Sequence, residues 1–158
     1  MAHKNRRATP TPDELRIWRD YLETADELRT RLAERMQHAS ELSIADYTVL
    51  LALSEADGHR LRSSEVATRI GWERSRVSHH LGRMEKRGLI RREACADDSR
   101  GSEVVLADAG ADAFRRSSVP HLRDIHALFI DALSPAQLAA VGDVSTALRT
   151  HLELGDRI

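Results

Sequence analysis

The sequence predicts a mainly α-helical protein with one small β-hairpin set among its helices. Three observations carry that expectation. Apolar residues recur at threes and fours along much of the 158-residue chain, the period of helices with one buried stripe. Thr11, Ser43 and Ser134 each stand three residues before an acid or amide, the pattern of a capping box at a helix start. Two short runs, LIRREAC (89–95) and SEVVLA (102–107), read as strands, and ADDSRG between them is turn chemistry.

The elements follow in order. Thr11-Pro12-Asp13-Glu14 supplies an N-cap, a proline at the first helical position and an acid at the third. Leu15, Trp18, Leu22, Ala25, Leu28, Leu32 and Met36 then predict an amphipathic helix of roughly six turns. Ser43 starts a second helix through YTVLLALSEA, apolar around most of its circumference and therefore expected to be central and buried. HRLR (59–62) reads as extended. SSEVATRIG (63–71) reads as a two-turn helix with a serine cap and a terminal glycine. A further helix follows Trp72-Glu73, then the hairpin. ADAGADAF begins another long helix reaching about Ile130, which Pro120 is expected to kink or split. Ser134-Pro135-Ala136-Gln137 opens a last helix to about Leu154.

Length and composition suit one soluble domain able to bury a sizeable core, with 41% apolar and 31% charged residues. No run of about 18 apolar residues predicts a membrane span. The basic start MAHKNRRATPTP lacks the apolar stretch of a secretory leader. A lone cysteine, Cys95, excludes an internal disulfide framework and fits the cytoplasm. At the end of a strand, Cys95 reads as a half-buried thiol rather than a redox sensor. Eight histidines invite a metal, but none are paired at the H-x-x-x-H spacing, and His121 and His126 are five apart. No phosphate-cradling glycine loop and no G-x-S-x-G element occurs. Neither an enzyme nor a cofactor is expected.

The stretch RSRVSHHLGRMEKRG (74–88) carries the functional signal. Val77, Leu81 and Met84 fall on one narrow helical face, at i, i+4 and i+7. Ser75, His79 and Lys86 lie within about 20° of the opposite side, with Arg76 and Arg83 on one flank and Ser78 on the other, at about 100° per residue. Such a helix anchors by one stripe and offers short polar groups and arginines to bases and phosphates. Gly82 costs a helix interior about 1 kcal/mol; close approach by a DNA backbone or by a neighbouring helix are the two reasons weighed. Charge is segregated accordingly. Residues 60–100 hold eleven Arg or Lys against six Asp or Glu, a local +5 inside a chain of net −1, as expected of an electrostatic footprint for nucleic acid.

Helix, tight turn, helix and basic hairpin is the order of a winged helix-turn-helix. The run from SSEVATRIG to LADAG (63–110) resembles the MarR family of bacterial and archaeal transcription regulators. Asp98-Ser99-Arg100-Gly101 matches the family's D-x-R-G, with Arg100 ten residues before Gly110 of its L-T-x-x-G motif. Ser75, Val77 and Ser78 match its S-x-V-S element, and RMEKRGLI matches equally well. The resemblance implies one domain over 1–158, with helices at 11–38 and 108–158 forming a homodimer around a DNA-binding lobe at 43–107. It places Ser75, Arg76, Ser78, His79, His80 and Arg83 on the recognition helix. It makes Arg100 the wing-tip arginine for a narrow minor groove, held by Asp98. Glu73 and Ala107 depart from the family's usual capping residues, and His79 stands where arginine is frequent.

The resemblance also implies double-stranded DNA as partner, a pseudo-palindromic operator, and repression relieved by a small aromatic or phenolic effector. Trp18, Tyr21 and Tyr47 are the candidates for that effector's crevice. The rival reading is an architectural DNA-binding protein without an effector, which would bind with steep salt dependence and no sequence preference.

Overall fold

The computed structural model describes residues 9–94 and 102–154. Helix α1 (Pro12–Ser40) starts on the expected capping box, with the Thr11 N–H donating to Glu14 Oε2 (2.7 Å) and the Glu14 N–H to Thr11 Oγ1 (3.2 Å). At 29 residues it is about two turns longer than its apolar stripe suggested. It ends where Glu41 turns left-handed at φ 57°. Only Met36 of this helix is buried, so its first half stands clear of the chain's own core.

Helix α2 (Ile44–Ser54) is central, as its all-round apolar surface predicts, with Val49, Leu50 and Leu53 fully buried. Strand β1 (Arg60–Arg62), helix α3 (Ser63–Ile70), helix α4 (Arg74–Lys86) and strands β2 (Ile90–Ala94) and β3 (Ser102–Leu106) complete the lobe. The predicted hairpin is present, antiparallel from Ile90↔Leu106 to Ala94↔Ser102. HRLR adds a third strand that the hairpin reading did not contain. β1 pairs antiparallel with β3 on its other side, Leu61 opposite Val104, giving the order β1-β3-β2. One core unites the lobe: Val49, Leu50, Leu53, Val66, Val77, Leu81, Met84, Ile90 and Val104 are each at most 2% exposed. Each such side chain contributes about 1.5–3 kcal/mol by leaving water.

Three local expectations are corrected. Ser63 is not the cap of α3. Arg62 holds that position, its N–H donating to Glu65 Oε2 (2.7 Å), while the Ser63 hydroxyl reaches across to Ser102 (2.9 Å to Oγ) and ties the helix start to β3. Pro120 does not split α5 (Asp108–Ile125), which continues through it into a π-helical turn at His126–Ile130. An interior proline costs about 3 kcal/mol, and packing of α5 along α1 and α2, with Ala113 and Ser117 buried, offsets that cost. The last helix, α6 (Pro135–His151), opens on the expected Ser134/Gln137 box and stops a turn before Leu154.

Candidate nucleic-acid interface

The turn into α4 is set by Gly71, left-handed at φ 67°, whose N–H bonds the Thr68 carbonyl while the Trp72 N–H bonds Ala67 (3.0 Å). Only a residue without Cβ enters that region freely. From there Val77, Leu81 and Met84 sink into the core, as their spacing predicts. The other faces of α4 are then fixed: Ser75, Arg76, Ser78, His79, Arg83 and Lys86 are all exposed. Arg74, Arg76 and Lys86 make no ion pair among the described residues, so their charge is available to an anionic partner. Arg76 is not loose. Its guanidinium lies over the Trp72 ring, 4.1 Å from the centroid, a contact worth about 0.5–1 kcal/mol at the surface. Ser78, His79, Gly82, Arg83, Lys86 and Arg92 line a shallow groove of about 370 Å³ along this helix.

His80 departs from expectation. Placed on the DNA side by resemblance, it is 5% exposed, because three residues of helix carry it to about 60° from Val77 on the core flank. Its ring meets the edge of Trp72 (5.5 Å between centroids), and its Nε2 lies 3.1 Å from Asp46 Oδ1. That approach is too bent for an aligned hydrogen bond and acts as a short polar contact. Asp46 is 2% exposed and does two jobs. It closes the capping box of α2 by accepting from the Ser43 N–H (2.9 Å), and it receives Arg87 Nη1 (2.7 Å). Burial alone would push its carboxyl up; the contacts from His80, Arg87 and Ser43 prevail and hold it well below the usual carboxylate range. Arg87 also donates to the Glu41 carbonyl (3.0 Å), so the end of α4 is bolted to the start of α2.

Within the chain, the neighbour of Gly82 is a wing-strand side chain rather than another helix. Arg92 of β2 lies over it, and a Cβ there would sit 3.3 Å from the guanidinium. Arg92 donates to the Ser78 carbonyl (3.1 Å), and its own N–H donates to Glu85 Oε1 (3.1 Å). The wing strand is thereby laced to α4. Sequence reading had Asp46 only as the capping acid of α2 and Arg87 and Arg92 only as positive charge, and did not foresee their contacts around α4. His80 alone had a visible signal, its wheel position beside Met84.

The suggested effector residues do not converge within the chain. Trp18 and Tyr21 are 56% and 52% exposed on the free half of α1. Tyr47 is buried, packed on Phe114 (5.1 Å) and edge-on to His121 (4.8 Å). Burial lowers the His121 imidazole below its ordinary range, against the opposing charge of Asp124. Asp98, Arg100 and Cys95 lie outside the described residues. Among those described, no group of histidines and acids has metal-binding geometry, and no single helix is long and apolar enough to cross a membrane.

Comparison with known proteins gives a consistent result. The family model described as "MarR family" matches residues 40–101. The solved structure of AbsC, a MarR family transcriptional regulator from Streptomyces coelicolor, is 33% identical with a TM-score of 0.85, over 93% of this chain and 99% of that one. Sco3205 of the same organism, a MarR family regulator solved in complex with DNA, is 32% identical with a TM-score of 0.86, over 92% of each chain. The transcriptional repressor MprA of Escherichia coli (strain K12) is 24% identical over 119 residues, 75% of this chain and 67% of that protein.

Proposed function

The chain belongs to the MarR family of transcription regulators, and from that premise we propose that it is a sequence-specific repressor acting as a homodimer on a pseudo-palindromic operator. The observation that carries this reading is α4: one stripe locked in the core, and an opposite face of exposed serines and arginines whose charges are largely uncommitted. A helix so mounted fits the major groove, where arginine pairs bidentately with guanine and short polar groups admit close approach. Ser75, Arg76, Ser78, His79 and Arg83 are assigned that contact, and Lys86 a phosphate. Asp98 and Arg100 are assigned the wing tip and the minor groove. Support comes from Sco3205, which has been solved on DNA, and from MprA, which is a repressor.

The homodimer rests on where the apolar surface lies. Among the described residues every exposed large apolar side chain falls in 17–22 or 119–154, outside the DNA-binding lobe. Uncovered apolar helices of this kind call for a partner surface. A two-fold dimer places two recognition helices about one helical turn of DNA apart. Release by a small aromatic or phenolic effector is part of the reading. Of its candidate residues, Tyr47 packs with Phe114 and His121 between α2 and α5, one residue along from Asp46.

The test is selection of tight-binding duplexes from a random pool, repeated with Arg76→Ala and Arg100→Ala. One palindrome, weakened by either substitution, is the expected result. Unrelated sequences bound with steep salt dependence would mean an architectural protein instead. Titrating phenolic acids into the operator complex then tests the effector half.

A further inference from the structure

We infer that His80 is a positioning residue for Arg83: a buried imidazole, oriented by Asp46, sets the direction in which a recognition-helix guanidinium meets DNA. The inference rests on the DNA-binding reading and adds to it a residue that touches no nucleic acid. Arg83 Nη2 lies 2.9 Å from His80 Nδ1. A guanidinium has donors only, so Nδ1 accepts, and the proton of the neutral ring belongs on Nε2. Nε2 is the atom that faces the Asp46 carboxylate at 3.1 Å. Both neighbours therefore select the same tautomer. Asp46 is held in turn by Ser43 and Arg87, and the ring is held edge-on by Trp72. A flipped ring would lose both polar neighbours, Arg83 and Asp46.

The consequence falls on Arg83, an exposed side chain with many rotamers. A free arginine gives up much of that freedom on binding a base. Here one of its five N–H groups is already spent on a fixed acceptor, and the remaining donors point from a defined place. Trp72, the surface under Arg76, is also the ring's packing partner, so both arginines are mounted on one partly buried assembly.

The experiment compares His80→Phe, Arg83→Ala and the double variant in duplex selection and in salt titrations of the selected operator. Phenylalanine keeps the ring against Trp72 and removes both nitrogens. His80→Phe is expected to weaken the operator about tenfold and to blur base preference at the position Arg83 meets. It should leave the salt dependence unchanged, since the Arg83 charge remains. Arg83→Ala removes one charge per protomer, two per dimer, and lowers the salt slope by up to about 1.8, and the double variant is no weaker than Arg83→Ala alone. Unchanged affinity in His80→Phe, or losses that add in the double variant, overturns the inference. Should His80→Phe fail to fold, 15N NMR of the wild-type imidazole decides: the Nε2–H tautomer is expected, and an Nδ1–H overturns this inference alone. A wild-type protein that selects no duplex overturns the regulator reading and this inference with it.

Discussion

A methyl group added at Gly110 would lie 2.9 Å from the Leu89 carbonyl carbon and closer still to its oxygen, main chain against main chain. Nothing there is free to move, since the same carbonyl accepts from the Ala107 N–H (3.2 Å). Gly110→Ala is expected to cost about 3 kcal/mol, the upper end for overpacking, read as a lowered urea midpoint. Gly82→Ala is expected to differ in sign. Its methyl meets only the tip of Arg92, which can shift, while alanine adds up to about 1 kcal/mol of helix propensity. Acid sensitivity also has residue-level origins. The Asp46 carboxyl is depressed in the folded state, so its stabilisation is complete above the ordinary aspartate range, near 3.8, and is lost as pH falls below it. The His121 imidazole is depressed too, so the unfolded chain takes the proton first and stability begins to fall below about 6.5. Urea melts across pH should show both arms, with His121→Phe removing the upper one and Asp46→Asn the lower.

At the scale of elements, what was legible in the sequence was what is local. Helix starts at Thr11, Ser43 and Ser134 were visible because a cap and its reciprocal acid or amide lie three residues apart. The hairpin was visible because strands and turn are contiguous. The third strand was not, since three residues at 60–62 pair with a strand some forty positions away. Ser63 misled for the same reason: its hydroxyl has a distant partner, Ser102, that outcompetes the local cap. The weak starts were also legible. Neither Glu73 of α4 nor Ala107 of α5 makes a side-chain cap bond. Glu73 already has cap geometry, φ −60° and ψ 139°. Glu73→Ser is therefore expected to add about 1 kcal/mol, raising the thermal midpoint by about 2–4 °C. It also removes a negative charge beside the DNA face, so binding to unrelated duplexes should tighten at low salt. A lower midpoint in calorimetry would count against the cap assignment.

At the scale of the molecule, the outward face of α4 followed from a helical wheel, but its support did not. Asp46 lies 34 positions from His80, and only the fold brings them within contact. Periodicity likewise identified apolar stripes without saying which are covered. The structure answers that by leaving Val144 and Leu148 of α6 52% and 43% exposed, one turn apart on one face. Neither belongs to the core cluster of the lobe, so a charge at either position leaves that core intact while opposing burial against a second copy. Val144→Asp with Leu148→Asp is expected to halve the sedimentation mass from about twice the 17.7 kDa chain to that of one, with helix content nearly retained. Operator affinity should fall by about 100-fold or more, since two half-sites bound by one dimer act at high effective concentration and two free lobes do not. Affinity for a single half-site duplex should stay the same, because α4 and the wing are untouched. A wild-type chain that sediments as a monomer at micromolar concentration, or a double variant that keeps full operator affinity, would break the link between the exposed helices and DNA binding. The half-site measurement separates that outcome from a collapsed lobe, which would lose both.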